Sequence, residues 1–204
     1  MPSLHSPFQR TLLYFPVIHT QADMGALAES LERIKVSMLG KRRLAQNAIR
    51  VDKMWQEVEQ SVESLSIVPG KVRVYQDGLA ICEHESQIVS DLAQAGSRNH
   101  KLLLRLESRG AILMGTESPQ LLVEEYHLTT TALASLTAAG ARRYQQASAA
   151  LLEKRDRYIA DRIDTTLATN ETGILFLGML HNVQAYLAPD IEVLYPVPRL
   201  ERRP

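Results

Sequence analysis

Cysteine is almost absent from this sequence, since Cys82 is the only one among 204 residues. A single cysteine excludes an intramolecular disulfide and any zinc site built from several thiolates, which fits a reducing compartment. An excess of charge of either sign is also lacking, because 23 Lys and Arg residues match 23 Asp and Glu residues. Without net positive charge the chain lacks the long-range field of a nucleic-acid-binding protein, so we expect no nucleic-acid partner.

Long apolar runs are missing as well. The longest uninterrupted apolar stretch near the C-terminal end covers Gly173 to Leu180, far short of the ~20 residues that a membrane-spanning helix needs. A shorter apolar patch near the N-terminus, Leu12 to Ile18, contains Pro16, and no small-residue cleavage pattern of a secretory signal follows it before His19. We therefore expect a cytoplasmic protein with no membrane partner.

Five short segments have the composition of β-strands. They are Thr11 to Thr20, Lys71 to Gly78, Ala111 to Glu117, Ile174 to Val183 and Glu192 to Val197. Apolar residues recur at helical spacing between them, over about residues 23–66, 88–109 and 119–168. This alternation predicts an α/β fold, a layered domain with a mainly parallel sheet of about five strands and long flanking helices. One well-buried core suits this length, so we expect residues 1–204 to form a single domain.

Chemically active side chains follow four of these apolar runs. His19, Asp77, Glu117 and His181 stand at their ends, and Asn182 comes directly after His181. In open α/β sheets the carboxyl ends of parallel strands form the crevice where ligands bind, so we expect these side chains to converge there, with Asp77 and Asn182 contacting the substrate. Polar residues also end strands because loops are solvated, which leaves a purely structural role as the alternative for each of them.

An arginine stands within the apolar stripe of the last long helical segment. At ~100° per residue this stripe consists of Leu151, Leu152, Tyr158, Ile159 and Ile163. Arg155 falls inside the stripe, and Arg162 shares it. A buried guanidinium needs a carboxylate or an anionic ligand, because an unpaired buried charge is very costly. The alternatives are a structural ion pair, or a stem that lies along the apolar face with its charge in water.

The motifs at these positions resemble those of the TraB/PrgY/TIKI superfamily. The matching residues are the early strand-ending histidine His19 in PVIHT, Glu117 in MGTE, the helical pair Arg155-Asp156, and Gly178 with His181 in the late motif GMLH. Asp156 stands where the family has asparagine, and Pro16 stands where it tends to have glycine. The family is tied to metal-dependent peptidase activity in its TIKI branch and to peptide-pheromone shutdown in its PrgY branch. The resemblance therefore implies a hydrolase.

Two imidazoles and a carboxylate are suitable ligands for a divalent metal ion with an open coordination position. We expect His19, Glu117 and His181 to hold such an ion, whose identity the sequence does not specify, and which would lower the pKa of a bound water. Glu117 could instead be the general base, with the histidines orienting the substrate. Arg155 would stabilise the developing oxyanion or hold a substrate carboxylate. The expected substrate is a small molecule or a peptide, cleaved at a peptide, ester or amide bond.

Two other functions remain open at this point. The same crevice could belong to a non-catalytic sensor of a small ligand. The long helices could instead make the chain a protein-interaction module, which predicts a stable homo-oligomer. The sequence contains no HExxH pair, no GxSxG elbow and no glycine-rich phosphate loop, so none of these common motifs decides between the three functions.

Overall fold

The computed structural model describes residues 10–19, 48–134 and 138–197. Five strands form one sheet: β1 (Arg10–Val17), β2 (Val72–Gln76), β3 (Ile112–Met114), β4 (Thr172–Gly178) and β5 (Ile191–Leu194). Their order is β3-β2-β4-β1-β5, and every neighbouring pair is parallel. The prediction of an α/β fold with a parallel sheet of about five strands is confirmed. The single-domain prediction stays a prediction, since it includes residues outside these ranges.

Helices connect the strands. They are α1 (residues 48–64), α2 (Glu85–Gln94), α3 (Arg98–Ser108), α4 (Pro119–Ala134) and α5 (Ala138–Thr166), with a short 3-10 helix at Val183–Tyr186. The helical segment expected at 23–66 is described only from residue 48 onward. The segment expected at 88–109 is two helices, because Gly96 adopts a left-handed φ of 103° between α2 and α3. Within the described ranges, no helix is both long and apolar enough to cross a bilayer.

The alternation of side chains along each strand fills two hydrophobic cores, one on each face of the sheet. On one face, Phe15 of β1 and Phe176 of β4 stack and pack with α1 and α3, through residues that include Trp55 and Leu103. On the other face, the residues that alternate with them along β1 and β4 pack against Ile159 and the other buried residues of α5. The sheet is therefore a layer between two helical layers, as expected when both faces of a parallel sheet are buried.

Proline in the interior of a sheet is unusual, and the register explains why Pro16 is tolerated in β1. The backbone N–H of Thr11 donates to Glu171 on the β4 side, while the N–H of Arg10 donates to Asp190 on the β5 side. Because the direction of the backbone N–H alternates along a strand, the backbone nitrogen of residue 16 faces the β5 side, like that of Arg10. There β5 has already ended, since its last pair with β1 is Leu13↔Leu194. The missing N–H of Pro16 thus removes no ladder hydrogen bond.

Candidate functional site

The carboxyl ends of β1, β2 and β4 open onto a cavity of about 640 Å³. Its polar floor is formed by His19, Asp77, Arg155 and His181. Its walls are mainly apolar, and they include Val17, Ile18, Leu92, Leu122, Tyr126, Tyr144, Leu152 and Met179. A mostly apolar cleft with a few converging polar groups is the usual form of a small-molecule site, and this one lies where the crevice of a parallel sheet is expected.

Asp77 is the centre of the polar floor. Its Oδ2 lies 2.8 Å from Nε2 of His19 and 3.5 Å from Nε2 of His181, and it accepts a hydrogen bond from the backbone N–H of Gly178 at 2.8 Å. Its Oδ1 accepts from Nη2 of Arg155 at 2.9 Å. Burial alone would raise the pKa of Asp77, but the two histidines lower it well below its ordinary value. Asp77 is therefore an ionised carboxylate that both imidazoles face.

His181 is held from behind by a second aspartate. Its Nδ1 lies 2.5 Å from Oδ1 of Asp156, and Oδ2 of Asp156 accepts the backbone N–H of Asn182 at 2.8 Å. Burial would lower the pKa of His181, yet its contacts with Asp156 and Asp77 raise that pKa to about 9. With Nδ1 engaged by Asp156, the ring is fixed so that Nε2 faces Asp77 and the cavity floor.

Arg155 has the anionic partners that its place in the apolar stripe predicted. Its Nε and Nη2 donate to the two oxygens of Glu117, both at 2.6 Å, and its Nη1 donates to Glu125 at 2.6 Å. Burial would lower the pKa of Arg155, but Glu117 and the other carboxylates raise it above its ordinary value. The pKa of Glu117 is raised by burial and by the charge of Asp77, with Arg155 acting in the opposite direction. The guanidinium therefore links the cavity floor to a buried carboxylate behind it.

The structure brings four of the predicted site residues together, namely His19, Asp77, Arg155 and His181. Glu117 joins them through Arg155 and through the backbone N–H of Gly78, which donates to its Oε1 at 2.7 Å. Both oxygens of Glu117 are thus engaged on the side of the guanidinium, and the carboxylate that faces the two histidines is that of Asp77. The side chain of Asn182 is exposed and does not line the cavity.

Two functional residues were not singled out from the sequence alone. Asp156 orients His181, and its only sequence signal was the resemblance that pairs it with Arg155. Glu125 contacts Arg155 from α4, and its side chain is 46% exposed. Nothing in the spacing of α4 distinguishes Glu125 from its neighbour Glu124, because only the packing of α4 on α5 decides which of the two reaches the guanidinium.

The lack of a side chain at Gly178 leaves room for Asp77 and His19 at the cavity floor. A Cβ at this position would lie 2.9 Å from Oδ2 of Asp77 and 3.4 Å from Nε2 of His19. The absence of a side chain lets the backbone N–H approach Asp77 directly, which agrees with the expectation that a glycine near a strand end allows a close approach.

Metal binding depends on how the donor atoms are arranged. Within the described part of the chain, no group of three or more His, Cys, Asp and Glu residues has the geometry of a metal site. The imidazoles of His19 and His181 instead lie at hydrogen-bonding or ion-pair distance from Asp77. Asp77 and the two imidazoles therefore bind one another as they stand, at separations of 2.8 and 3.5 Å, and a metal ion shared by the three stays a proposal.

No family model matches the chain, and no curated protein or solved structure matches it either. The resemblance to the TraB/PrgY/TIKI superfamily therefore stays a prediction from the motifs, and the functional argument rests on the geometry of the cavity floor.

Proposed function

We propose that the protein is a hydrolase of the TraB/TIKI-like type, which cleaves a peptide, ester or amide bond at the floor of this cavity. One observation carries the proposal: two imidazoles and one ionised carboxylate meet at the carboxyl ends of three parallel strands, and Asp156 orients one of the imidazoles from behind. Chemically active groups held in fixed positions on rigid elements are what positioning and acid-base catalysis require.

We further propose that His19, Asp77 and His181 hold one divalent metal ion. The contact of His181 with Asp156 supports this, because a metal-bound histidine commonly directs its other ring nitrogen to a carboxylate. The charges support it too, since the four carboxyl groups of Asp77, Glu117, Glu125 and Asp156 outnumber the two cations among them, the guanidinium of Arg155 and the protonated ring of His181. When bound, such an ion would lower the pKa of a water molecule. Asp77 takes the ligand position that the sequence had suggested for Glu117.

The residues of the chain have distinct tasks in this proposal. Asp156 keeps the ring of His181 in one orientation. Glu117 fixes the guanidinium of Arg155 by its paired contacts, so that Nη1 stays beside Glu125 at the cavity wall. From there Arg155 can stabilise negative charge that develops on a substrate oxygen. The apolar walls bind the substrate outside its reacting group and keep water away from it, which strengthens the electrostatic contacts at the floor.

Hydrolysis assays together with metal analysis test this function. Purified protein is tested against generic peptide, ester and amide substrates, with and without added Mn²⁺, Co²⁺ or Zn²⁺. We expect the variants His19→Ala and His181→Ala to lose bound metal and to lower kcat/KM by about 10²–10⁴-fold, the range of a lost acid-base or metal contribution. His127→Ala is the matched control, because His127 is exposed on α4 and does not line the cavity.

Two outcomes would contradict the proposal. If His19→Ala and His181→Ala keep both the metal content and the hydrolytic activity of the wild type, these residues do not form the site. If the wild type binds a ligand in the cavity but cleaves no substrate class, the protein is a sensor rather than a hydrolase. The nature of the substrate and the homo-oligomer stay predictions.

A further inference from the structure

A single peptide unit connects Asp77 to Gly78, and buried side chains hold it at both ends. Its carbonyl oxygen accepts a hydrogen bond from Nε2 of Gln76 at 2.9 Å. Its N–H donates to Oε1 of Glu117 at 2.7 Å. Directly after this unit the chain turns, because Gly78 adopts a left-handed φ of 75°. The plane of this peptide sets the direction from which the side chain of Asp77 enters the cavity floor.

Gln76 is itself fixed by a second amide. Its Oε1 accepts a hydrogen bond from Nδ2 of Asn99 at 2.8 Å, at the start of α3. The direction of this relay is decided by chemistry, because the carbonyl of Asp77 can only accept. Gln76 must therefore present its NH₂ group to that carbonyl and its oxygen to Asn99. The side chain of Asn99 then has to donate, and neither amide can flip without losing a bond.

Both amides are almost completely buried, and Gln76 also lines the cavity. Buried polar groups lower stability unless they are fully bonded. Asn99 is 0% exposed and Gln76 is 1% exposed. In addition, Oδ1 of Asn99 has no hydrogen-bond partner within the described part of the chain. Asn99 lies in α3, whose Leu102, Leu103 and Leu106 belong to the hydrophobic core. An apolar pair would avoid the cost of the unpaired oxygen, so the two amides need an explanation other than packing.

We propose that Gln76 and Asn99 are positioning residues, which set the carboxylate of Asp77 against His19 and His181 by holding the Asp77–Gly78 peptide. This inference rests on the proposed function, since it assigns a role in the site where hydrolysis would occur. Neither residue has to contact the substrate. Their effect is transmitted from α3 through one side chain of β2 to one peptide plane.

The double variant Gln76→Leu/Asn99→Leu separates positioning from stability. Removing both partners of the bond between Gln76 and Asn99 is nearly neutral, but the carbonyl of Asp77 also loses its donor. We therefore expect a Tm lower by about 2–4 °C, comparable to the Tyr75→Phe control described below. If the pair positions Asp77, kcat also falls by about 10–100-fold with little change in KM, because a misplacement of about 1 Å can lower a rate by that factor. Affinity for Co²⁺ falls by about 10-fold or more.

A readout that needs no turnover is the ring nitrogen spectrum of His19 and His181. Long-range ¹H–¹⁵N correlation spectra of the metal-free protein at pH 7 report the contacts of each ring with Asp77. We expect the double variant to change the signals of both rings, which are assigned with His19→Ala and His181→Ala. Tyr75→Phe is the matched control: it removes the bond from Tyr75 to Thr166 on the opposite face of β2. It should lower Tm by about 2–4 °C and leave the ring signals unchanged.

The outcomes distinguish the two proposals. Unchanged ring signals in a folded double variant would overturn the positioning role, whatever the hydrolytic activity. Changed ring signals, in a wild type that cleaves no substrate and binds no Co²⁺, would support the positioning role while the proposed function fails. If the double variant does not fold, Asn99→Ala gives the same test, because it removes the donor to Gln76 and introduces no new polar group. A folded Asn99→Ala protein with wild-type ring signals would also overturn the inference.

Discussion

Both ends of the parallel sheet carry arginines bound to carboxylates, but the two ends are built differently. At the amino end, Arg10 makes a paired contact with Asp190 and also donates to backbone carbonyls, while Arg73 makes a paired contact with Glu171. Each of these guanidinium groups has one principal carboxylate. At the carboxyl end, Arg155 alone contacts Asp77, Glu117 and Glu125 beside the cavity. At the amino end each guanidinium has mainly one carboxylate, although Asp164 also lies 3.8 Å from Nη2 of Arg10. At the carboxyl end three carboxylates share one guanidinium, a surplus that the protonated His181 offsets only in part.

This difference indicates which end is structural and which is available for chemistry. At the amino end, each ion pair joins a strand to the loop before the neighbouring strand, and so it fixes where the strands begin. Such a pair needs no ligand to balance its charge. A surplus of carboxylates next to two imidazoles costs stability unless a cation or a reaction makes use of it. The comparison therefore predicts that substitutions at the amino end change stability, whereas those at the carboxyl end also change activity.

The largest effect is expected from Arg155→Met. Removal of this guanidinium leaves Glu117 as a buried carboxylate without its cation, while Asp77 keeps its contacts with the two histidines. Breaking a buried ion pair on one side costs about 3–5 kcal/mol of the free energy of unfolding. The same change at the amino end, Arg10→Met, should cost only about 1–2 kcal/mol, because Asp190 is partly exposed and can regain water. Urea unfolding followed by circular dichroism measures both. If both variants lose the same free energy of unfolding, the ion pairs at the two ends of the sheet contribute equally to stability, and the comparison fails.

The second largest effect is a loss of catalytic activity, and a nearly isosteric substitution tests it. Asp77→Asn keeps the size of the side chain but removes the charge that faces His19 and His181. We expect kcat/KM to fall by about 10²–10³-fold, measured on the best substrate of the panel described above. Asp190→Asn is the control at the amino end, where stability should fall slightly and activity should stay unchanged. Full activity of Asp77→Asn would remove Asp77 from the site.

A third effect is a pH dependence of stability in the metal-free protein. The folded-state pKa of His181 is about 9, above the ordinary value of 6.5. Because the pKa is raised on folding, the stabilisation is fully present below about pH 6.5 and is lost as the pH rises through about 9. We expect a decrease on the order of 2 kcal/mol across this window, measured by urea unfolding at a series of pH values.

Asp156→Asn is the control for this dependence. It removes the carboxylate nearest to His181, so the pKa of His181 should fall and the decrease between pH 6.5 and 9 should become smaller. Asparagine is also the residue that the resembled family has at this position. A pH profile that is identical in wild type and variant would mean that His181 is not the group responsible.

The smallest effect is expected from Glu125→Gln. The side chain of Glu125 is 46% exposed, so its contact with Arg155 resembles a surface ion pair more than a buried one. Such pairs contribute about 0–1 kcal/mol, and Arg155 keeps its two buried carboxylates in the variant. Thermal and urea unfolding should therefore differ little from the wild type. If Glu125→Gln lowers the free energy of unfolding as much as Arg155→Met does, the contact between Glu125 and Arg155 is a main source of stability and does not behave as a surface ion pair.

Much of the fold could be predicted from sequence, because strand runs and helical periodicity are local signals. The convergence of His19, Asp77 and His181 could also be predicted, since parallel strands bring their carboxyl ends to one edge. The order of the strands could not, and it is this order that places β4 between β1 and β2. The end of β4 thus lies between the ends of β1 and β2, and Asp77 reaches both histidines because its Oδ2 is bound to the backbone N–H of Gly178 at the end of β4.

Asn182 and Glu117 illustrate two further limits. His181 is buried at the cavity floor, whereas Asn182, the residue before the 3-10 helix, is exposed. Proximity in sequence therefore gave Asn182 a role that the structure does not support. Glu117 does lie at the site, but its partners come from a helix and from a turn distant in sequence. Which carboxylate pairs with Arg155 and which faces the histidines is a tertiary property.

Gly178 also has a consequence for how this protein can vary among its relatives. A Cβ there would lie only 2.9 Å from Oδ2 of Asp77, so a side chain at position 178 would push this carboxylate from its place. Relatives that keep a carboxylate at position 77 should keep glycine at 178, and relatives that lose one should be free to lose the other. The two positions are thus expected to covary, although 101 residues separate them along the chain.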